Sequence, residues 1–112
     1  MKNSNIEIYR LDEDSMYENG YKLGLLCKER LTIDFYIKVK EKLYHKIKEK
    51  HNNIVFNLIK NKIKSWIKLL KGKYKIVIED IIGFSDALEI KDDLILEVNV
   101  ISEIYDYMCT LL

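Results

Sequence analysis

Apolar residues recur every three or four positions along most of the chain, and this spacing is typical of amphipathic α-helices. It predicts a helix over 33–50, a helix with apolar residues from 55 to 70 that ends at Gly72, and a last helix over about 92–108. The 112 residues include no proline and four glycines, so residues that interrupt helices are scarce. We therefore expect a mainly α fold, with residues 1–112 forming one domain.

A further helix is predicted from residue 16 to about residue 30, because Ser15 and Glu18 form an S-x-x-E capping box. Gly20 and Gly24 lie four residues apart on one face of it, where each glycine costs about 1 kcal/mol relative to alanine. Such a pair allows another backbone to approach closely, so we expect a packing surface there. The apolar side chains near one face of this helix are Met16, Leu23, Cys27 and Leu31.

Two short segments alternate apolar and polar residues, which is the pattern of a β-strand. Residues 6–11 predict a short N-terminal strand. Residues 74–78 predict either a strand or the lead into a helix through 79–90. Separately, residues 51–53 predict a turn between helices.

The predicted helix over 92–108 is apolar around almost its whole circumference, and such helices are buried on several sides. We expect one side to pack on the chain's own helices, including the Gly20/Gly24 face, and the other side to pack on a second polypeptide. Glu103 should then be paired at that junction, since an unpaired buried carboxylate is costly. On this interpretation Ile101→Asp or Ile104→Asp weakens association more than it unfolds the chain.

Charge is distributed unevenly, although the formal net charge is only +1. Residues 38–75 hold thirteen lysines and two acids, a net +11, whereas residues 76–112 hold one lysine and nine acids, a net −8. Such a division is typical either of a partner-binding surface or of two halves that neutralise each other in the fold. We favour neutralisation.

The lysine-rich stretch 38–75 also carries Tyr44, Phe56, Trp66 and Tyr74, and lysine with aromatic residues can bind nucleic acid. The aromatic residues largely share the apolar stripe, however, and the stretch has no arginine. A free-standing basic helical module that binds nucleic acid or an acidic protein is therefore the alternative hypothesis. It is not the favoured one.

Candidate catalytic and metal-binding side chains are few. His45 and His51 are six residues apart, which does not match the spacing of metal ligands on one helix face, so we expect both to face solvent. Trp66 is expected in the core and Cys27 as a small buried residue. Cys109 has no histidine nearby in sequence, so it is interpreted as a buried thiol on this evidence alone. We expect no metal and no cofactor.

The first ten residues, MKNSNIEIYR, lack the apolar region of a signal peptide. No stretch approaches the roughly 20 apolar residues of a membrane span. We expect a cytoplasmic protein, and the abundance of lysine, isoleucine and asparagine suits an AT-rich bacterial genome.

Four short patterns occur in order along the chain and together resemble the start of a known enzyme family. The first pattern is Y-x-x-G-x-x-x-G at Tyr17, Gly20 and Gly24, and the second is an acidic pair at 79–80 that leads to Gly83 in a segment similar to G-I-A-D-G or G-I-A-E-G. The third is N-x-x-x-E at Asn99 and Glu103, and the fourth is C-T at Cys109 and Thr110. The family is the acyl-coenzyme A:6-aminopenicillanic acid acyltransferase family, of peptidase C45 type. The resemblance extends from about residue 6 to about residue 110.

Members of this family are made as inactive precursors that cut themselves immediately before a cysteine. That cysteine becomes the N-terminal nucleophile (Ntn) of a β chain, with its own α-amine as the base. The β chain carries an αββα sandwich, and the released helical α chain stays bound to it. The resemblance thus implies an α chain that is inactive alone and completes a catalytic β chain. The substrate would be an acyl amide, a peptide or an acyl thioester, transferred or hydrolysed through a thioester.

The sequence departs from the family pattern around the cut. The family has glycine before the nucleophile and Cys-Thr-Ser from it, whereas here Met108 precedes Cys109 and Leu111 follows Thr110. One position for the cut is before Cys109, and the other is after Leu112, with the nucleophile at the start of the next chain. We favour the second, since a chain ending at residue 112 would then coincide with the cut. The resemblance assigns packing or interface roles to Tyr17, Gly20, Gly24, Gly83, Asn99 and Glu103.

Overall fold

The computed structural model describes residues 15–111, with side chains as far as Asp106. This part of the chain is mainly helical and contains no strand; the strand predicted over 6–11 lies outside the described residues. The helices are α1 (Met16–Cys27), α2 (Ile33–Lys50), α3 (Asn53–Lys71), a short 3₁₀ helix (Lys75–Ile78), α4 (Glu79–Leu88) and α5 (Asp92–Leu111). Within the described residues, no helix is both long and apolar enough to cross a membrane.

Side-chain caps explain why the first helices begin where they do. The Ser15 hydroxyl accepts the backbone N–H of Glu18 at 3.1 Å, which confirms the predicted start of α1. Thr32 caps α2 in the same way, and Asn52 accepts the N–H of Val55 at 2.9 Å at the start of α3. These caps satisfy backbone donors that have no partner within the helix. At the other end of α3 the N–H of Gly72 donates to the carbonyl of Lys68, so the predicted stop is also confirmed.

Residues 75–78 form a 3₁₀ helix, and of the two alternatives for this segment the structure selects the lead into a helix. The reason is local packing, because Ile78 is buried while Ile76 and Val77 point outward. One buried side chain in four fits a single helical turn, whereas a strand would bury every second residue and need a neighbour to pair with.

Two apolar clusters form the core, and α5 passes through both. The first contains Tyr36, Leu88, Ile90, Ile95 and Val98. The second contains Ile47, Ile63 and Ile101, which join α2, α3 and α5. Since α5 supplies residues to both clusters, it is the helix on which α2, α3 and α4 pack, and this accounts for its apolar sequence.

The structure corrects two predictions about α5. Its residues Ile95, Leu96, Val98 and Ile101 are buried by the chain's own helices, so the surface that α5 leaves for a second polypeptide is narrower than the whole side that the sequence predicts. As far as Asp106, its exposed residues are Asp93 near its start and a narrow strip of Asn99, Glu103 and Asp106. In addition, the glycine face of α1 packs on α4 and not on α5.

Candidate functional site

Glycines of α1 and α4 allow the backbones of these helices to touch. A Cβ atom on Gly20 would lie 2.6 Å from the carbonyl carbon of Asp80, and one on Gly83 would lie 2.9 Å from that of Tyr17. Carbon atoms in proteins normally approach to about 3.5–4.0 Å, so no side chain fits at either position. The first two sequence patterns therefore meet in one helix–helix contact, as the predicted close approach requires.

Gly24 extends this contact by one helical turn. Its Cβ would lie 2.7 Å from the Cβ of Ala87 and 2.7 Å from the carbonyl oxygen of Phe84. Gly20, Gly24 and Gly83 therefore form a row of contact positions without side chains, and side chains normally keep two packed helices apart.

Two polar contacts connect α1 to the C-terminal end of α4. The Tyr17 hydroxyl donates to the Asp86 carboxylate at 2.6 Å, and this hydrogen bond raises the pKa of the Tyr17 phenol. Lys28 pairs with Glu89, and the hydrogen bond from the ammonium lowers the pKa of the Glu89 carboxyl. The resemblance assigns a packing role to Tyr17 but no role to Asp86, which the sequence marks only by its place in the segment that begins at Gly83.

A small cavity brings three of the four sequence patterns together. It has a volume of about 290 Å³, and Gly20, Asp80 and Asn99 line it together with apolar side chains. These three residues come from α1, α4 and α5 and are far apart in sequence. Sequence spacing alone does not predict that Asn99 lies beside the glycine contact, because the packing of α5 decides it.

Asn99 and Glu103 also lie at the edge of a larger apolar groove of about 490 Å³ between α3 and α5. Apolar side chains form most of its surface, including Trp66, Leu70 and Ile104. Among the described residues no hydrogen bond or ion pair engages the carboxylate of Glu103, so its predicted pairing is not made within residues 15–106.

A polar network connects α2 to α5 beside the second core cluster. The Tyr44 hydroxyl donates to Glu97 at 2.6 Å, and the Lys40 ammonium pairs with the same carboxylate at 3.0 Å. Burial, and secondly the hydrogen bond to Glu97, raises the pKa of the Tyr44 phenol well above its usual value. The protonated phenol therefore stabilises the folded state.

We expect Tyr44→Phe to lower the free energy of unfolding by about 1–2 kcal/mol at pH 7, because it removes one hydrogen bond to a carboxylate that keeps its lysine. A raised pKa in the folded state stabilises the protein below the unfolded pKa of about 10, and this stabilisation is lost as the pH rises further. Urea denaturation of both proteins should show a constant difference at pH 7–9 that shrinks above about pH 10. An unchanged difference at pH 11 would contradict this linkage.

Acidic residues of α5 neutralise part of the lysine-rich surface. Lys71 donates to Asp92 at 3.2 Å and also pairs with Asp93, while Lys40 pairs with Glu97. These contacts line a cleft of about 610 Å³ between α2, α3 and α5. The two oppositely charged halves of the sequence therefore meet in the fold, as the favoured interpretation expects.

Two aromatic residues of the lysine-rich stretch are engaged inside the fold. The rings of Tyr44 and Phe56 pack edge to face with centroids 6.0 Å apart, and the Lys60 ammonium lies 5.5 Å from the centroid of Phe56. Both rings are half-buried, and their contacts are with side chains of this chain. This arrangement gives no specific support to the nucleic-acid alternative.

Predictions for single residues are partly wrong. Trp66 does not lie in the core, since it is 39% exposed at the rim of the groove. His45 is exposed as predicted, but His51 is half-buried and its Nε2 atom has no hydrogen-bond partner. Cys27 is half-buried. No group of histidine, cysteine and acidic side chains within residues 15–111 is arranged to hold a metal ion.

The predicted cutting positions lie at the end of α5. The backbone at Met108, Cys109 and Thr110 belongs to the last turn of this helix, and Leu112 lies outside the described residues.

Comparison of the chain with protein-family models, with curated proteins and with solved structures gives no significant match.

Proposed function

We propose that this chain is the α-chain region of a cysteine Ntn acyltransferase or amide hydrolase. In this role it packs on a catalytic β chain from the same precursor and is inactive alone. The observation that carries the proposal is the 290 Å³ cavity, where Gly20, Asp80 and Asn99 of three sequence patterns lie together. These three residues belong to motifs of one family and are distant in sequence. Because they lie side by side in the fold, they support a common role for the motifs.

The surface of the chain provides room for a catalytic partner. Contact with α4 covers the glycine face of α1, so the apolar residues on its other faces point outward, and Leu23, Leu25 and Leu26 are exposed. Ile33 and Phe35 at the start of α2 are exposed as well. Clusters of exposed apolar residues are typical of protein–protein contacts.

In a cut before Cys109, the thiol of this residue is the nucleophile. Its thiolate attacks the carbonyl carbon of Met108, the peptide bond to the Cys109 nitrogen breaks, and that nitrogen takes up a proton. Water then hydrolyses the resulting thioester, which leaves a carboxylate on Met108 and a free amine and thiol on Cys109. This amine would serve as the base that activates the thiol in later acyl transfer. If the cut follows Leu112 instead, the same steps apply to the residue after it.

Autoprocessing tests the proposal. Residues 1–112 are expressed together with whatever follows them in the reading frame, and the products are analysed by intact-mass measurement and N-terminal sequencing. We expect two polypeptides that remain associated, the smaller ending at Met108 or at Leu112. Cys109→Ala abolishes the cut in the first case and leaves it unchanged in the second, so this variant locates the nucleophile.

Cys27→Ala is the matched control, since this half-buried thiol lies on α1 and should not affect processing. A single uncut polypeptide would contradict the proposal. Hydrolysis of acyl amides by residues 1–112 alone would also contradict it, because the proposed chemistry needs the β chain.

A further inference from the structure

The apolar groove between α3 and α5 is open to solvent and has a charged rim. Its walls include Trp66, Leu69, Leu96 and Ile104, and the exposed carboxylate of Glu103 stands at its edge. No described residue pairs with this carboxylate. An occupant that fits the groove therefore has apolar side chains and a cation placed opposite Glu103.

The outer face of α3 has these properties. Ile54 and Leu58 are 73% and 63% exposed, and they lie one helical turn apart. Lys62 follows one turn later on the same face and is also exposed. The ammonium of Lys62 is thus the cation of this face that can lie opposite the Glu103 carboxylate.

We propose that two copies of this chain form a two-fold symmetric dimer through α3 and the groove. The α3 helices run antiparallel, so Ile54 and Leu58 of each copy enter the groove of the other. Lys62 lies near the middle of α3 and therefore near the two-fold axis, where it pairs with Glu103 of the second copy. The junction with a second polypeptide that the sequence predicts at Glu103 is then a junction between identical chains.

Symmetry and size are consistent with this arrangement. A two-fold dimer uses the same surface patch on both chains, and here one patch contains both the apolar stripe and the groove that receives it. The 19 residues of α3 span about 28 Å. Stable interfaces bury about 1,200 Å² or more in total, which requires both copies of the stripe and both grooves to be engaged.

Sedimentation equilibrium of the full 112-residue chain over a wide concentration range tests the dimer. We expect a reversible monomer–dimer equilibrium, and Leu58→Asp should weaken it at least about tenfold because it places a charge in the apolar groove. Leu58 is largely exposed in the single chain, so circular dichroism should show that this variant keeps its helices. The emission of Trp66, the only tryptophan, should shift to shorter wavelength as the wild-type dimer forms and its ring leaves water.

A charge exchange tests the pairing itself. Lys62→Glu and Glu103→Lys should each weaken the dimer about tenfold, since each puts like charges opposite one another, and the double variant should restore affinity to within about threefold. Lys42→Glu on the exposed face of α2 is the matched control and should leave the equilibrium unchanged. A wild-type chain that stays monomeric at about 200 μM, or a double variant no better than the single ones, would overturn the proposal. Autoprocessing is not involved, so the test stands whatever its result.

Discussion

Gly20→Ala is expected to lower the free energy of unfolding by about 3 kcal/mol, at the upper end of the usual cost of overpacking. The new Cβ would lie 2.9 Å from the Cα and 2.6 Å from the carbonyl carbon of Asp80, and its nearest neighbour is the oxygen of the same group. These are backbone atoms of α4, so no side chain can rotate away and the two helices must separate. The better helix propensity of alanine offsets only about 1 kcal/mol.

Gly72→Ala is the matched control. Its Cβ would approach the Lys68 carbonyl oxygen to 3.3 Å, a tight contact that a shift of a few tenths of an ångström relieves, so alanine should cost much less stability there than at Gly20. Urea denaturation of both variants and the wild type measures the difference. If Gly20→Ala were no less stable than Gly72→Ala, the close approach of α1 and α4 would be wrong.

Element boundaries were the part of the fold that the sequence predicted best. Ser15 and Gly72 act on the backbone within four residues of themselves, so the start of α1 and the end of α3 could be predicted from neighbours alone. The helix over 33–50 was predicted with the bounds that the structure has. Local signals of this kind do not depend on tertiary contacts.

Packing faces were predicted less well, because they depend on partners. Apolar periodicity in α1 indicates the face with Met16 and Leu23, yet both residues are more than a third exposed. Close backbone contact with α4 determines which face is buried, and this contact requires glycine because it leaves no room for a side chain. Gly20 and Gly24 indicated the correct face of α1, but the sequence assigned the wrong helix to it.

Trp66 illustrates the same limit in α3. It follows the apolar spacing of that helix, and spacing cannot distinguish a residue inside the core from one at the rim of an open groove. The candidate site is similar in this respect, since the motifs named Gly20, Asp80 and Asn99 separately and only the fold places them around one cavity. The contacts of Asp86 and Glu97 were not predicted, because their partners Tyr17 and Tyr44 lie on helices that are distant in sequence.

Ile101→Asp is expected to leave the chain unfolded at 25 °C. Sequence reasoning predicted that this variant would mainly weaken association, but the side chain is 0% exposed in the cluster with Ile47 and Ile63. Removing a buried isoleucine alone costs about 2–5 kcal/mol, and an unpaired buried carboxylate adds several more. The sum is comparable with a typical domain stability of about 5–15 kcal/mol.

Two other isoleucines complete the experiment. Ile76→Asp is the control, since Ile76 is 71% exposed and the variant should keep the circular dichroism and urea midpoint of the wild type. The stability of the Ile104→Asp variant should lie between those of the Ile101→Asp and Ile76→Asp variants, because Ile104 is half-buried against the second core cluster and also lines the groove. The Ile104→Asp variant should remain folded at 25 °C, and its copies should associate more weakly than those of the wild type. A native circular dichroism spectrum for Ile101→Asp would contradict the position of α5 in the core. A residue at a partner-facing surface would tolerate the carboxylate in the single chain, whereas a core residue would not.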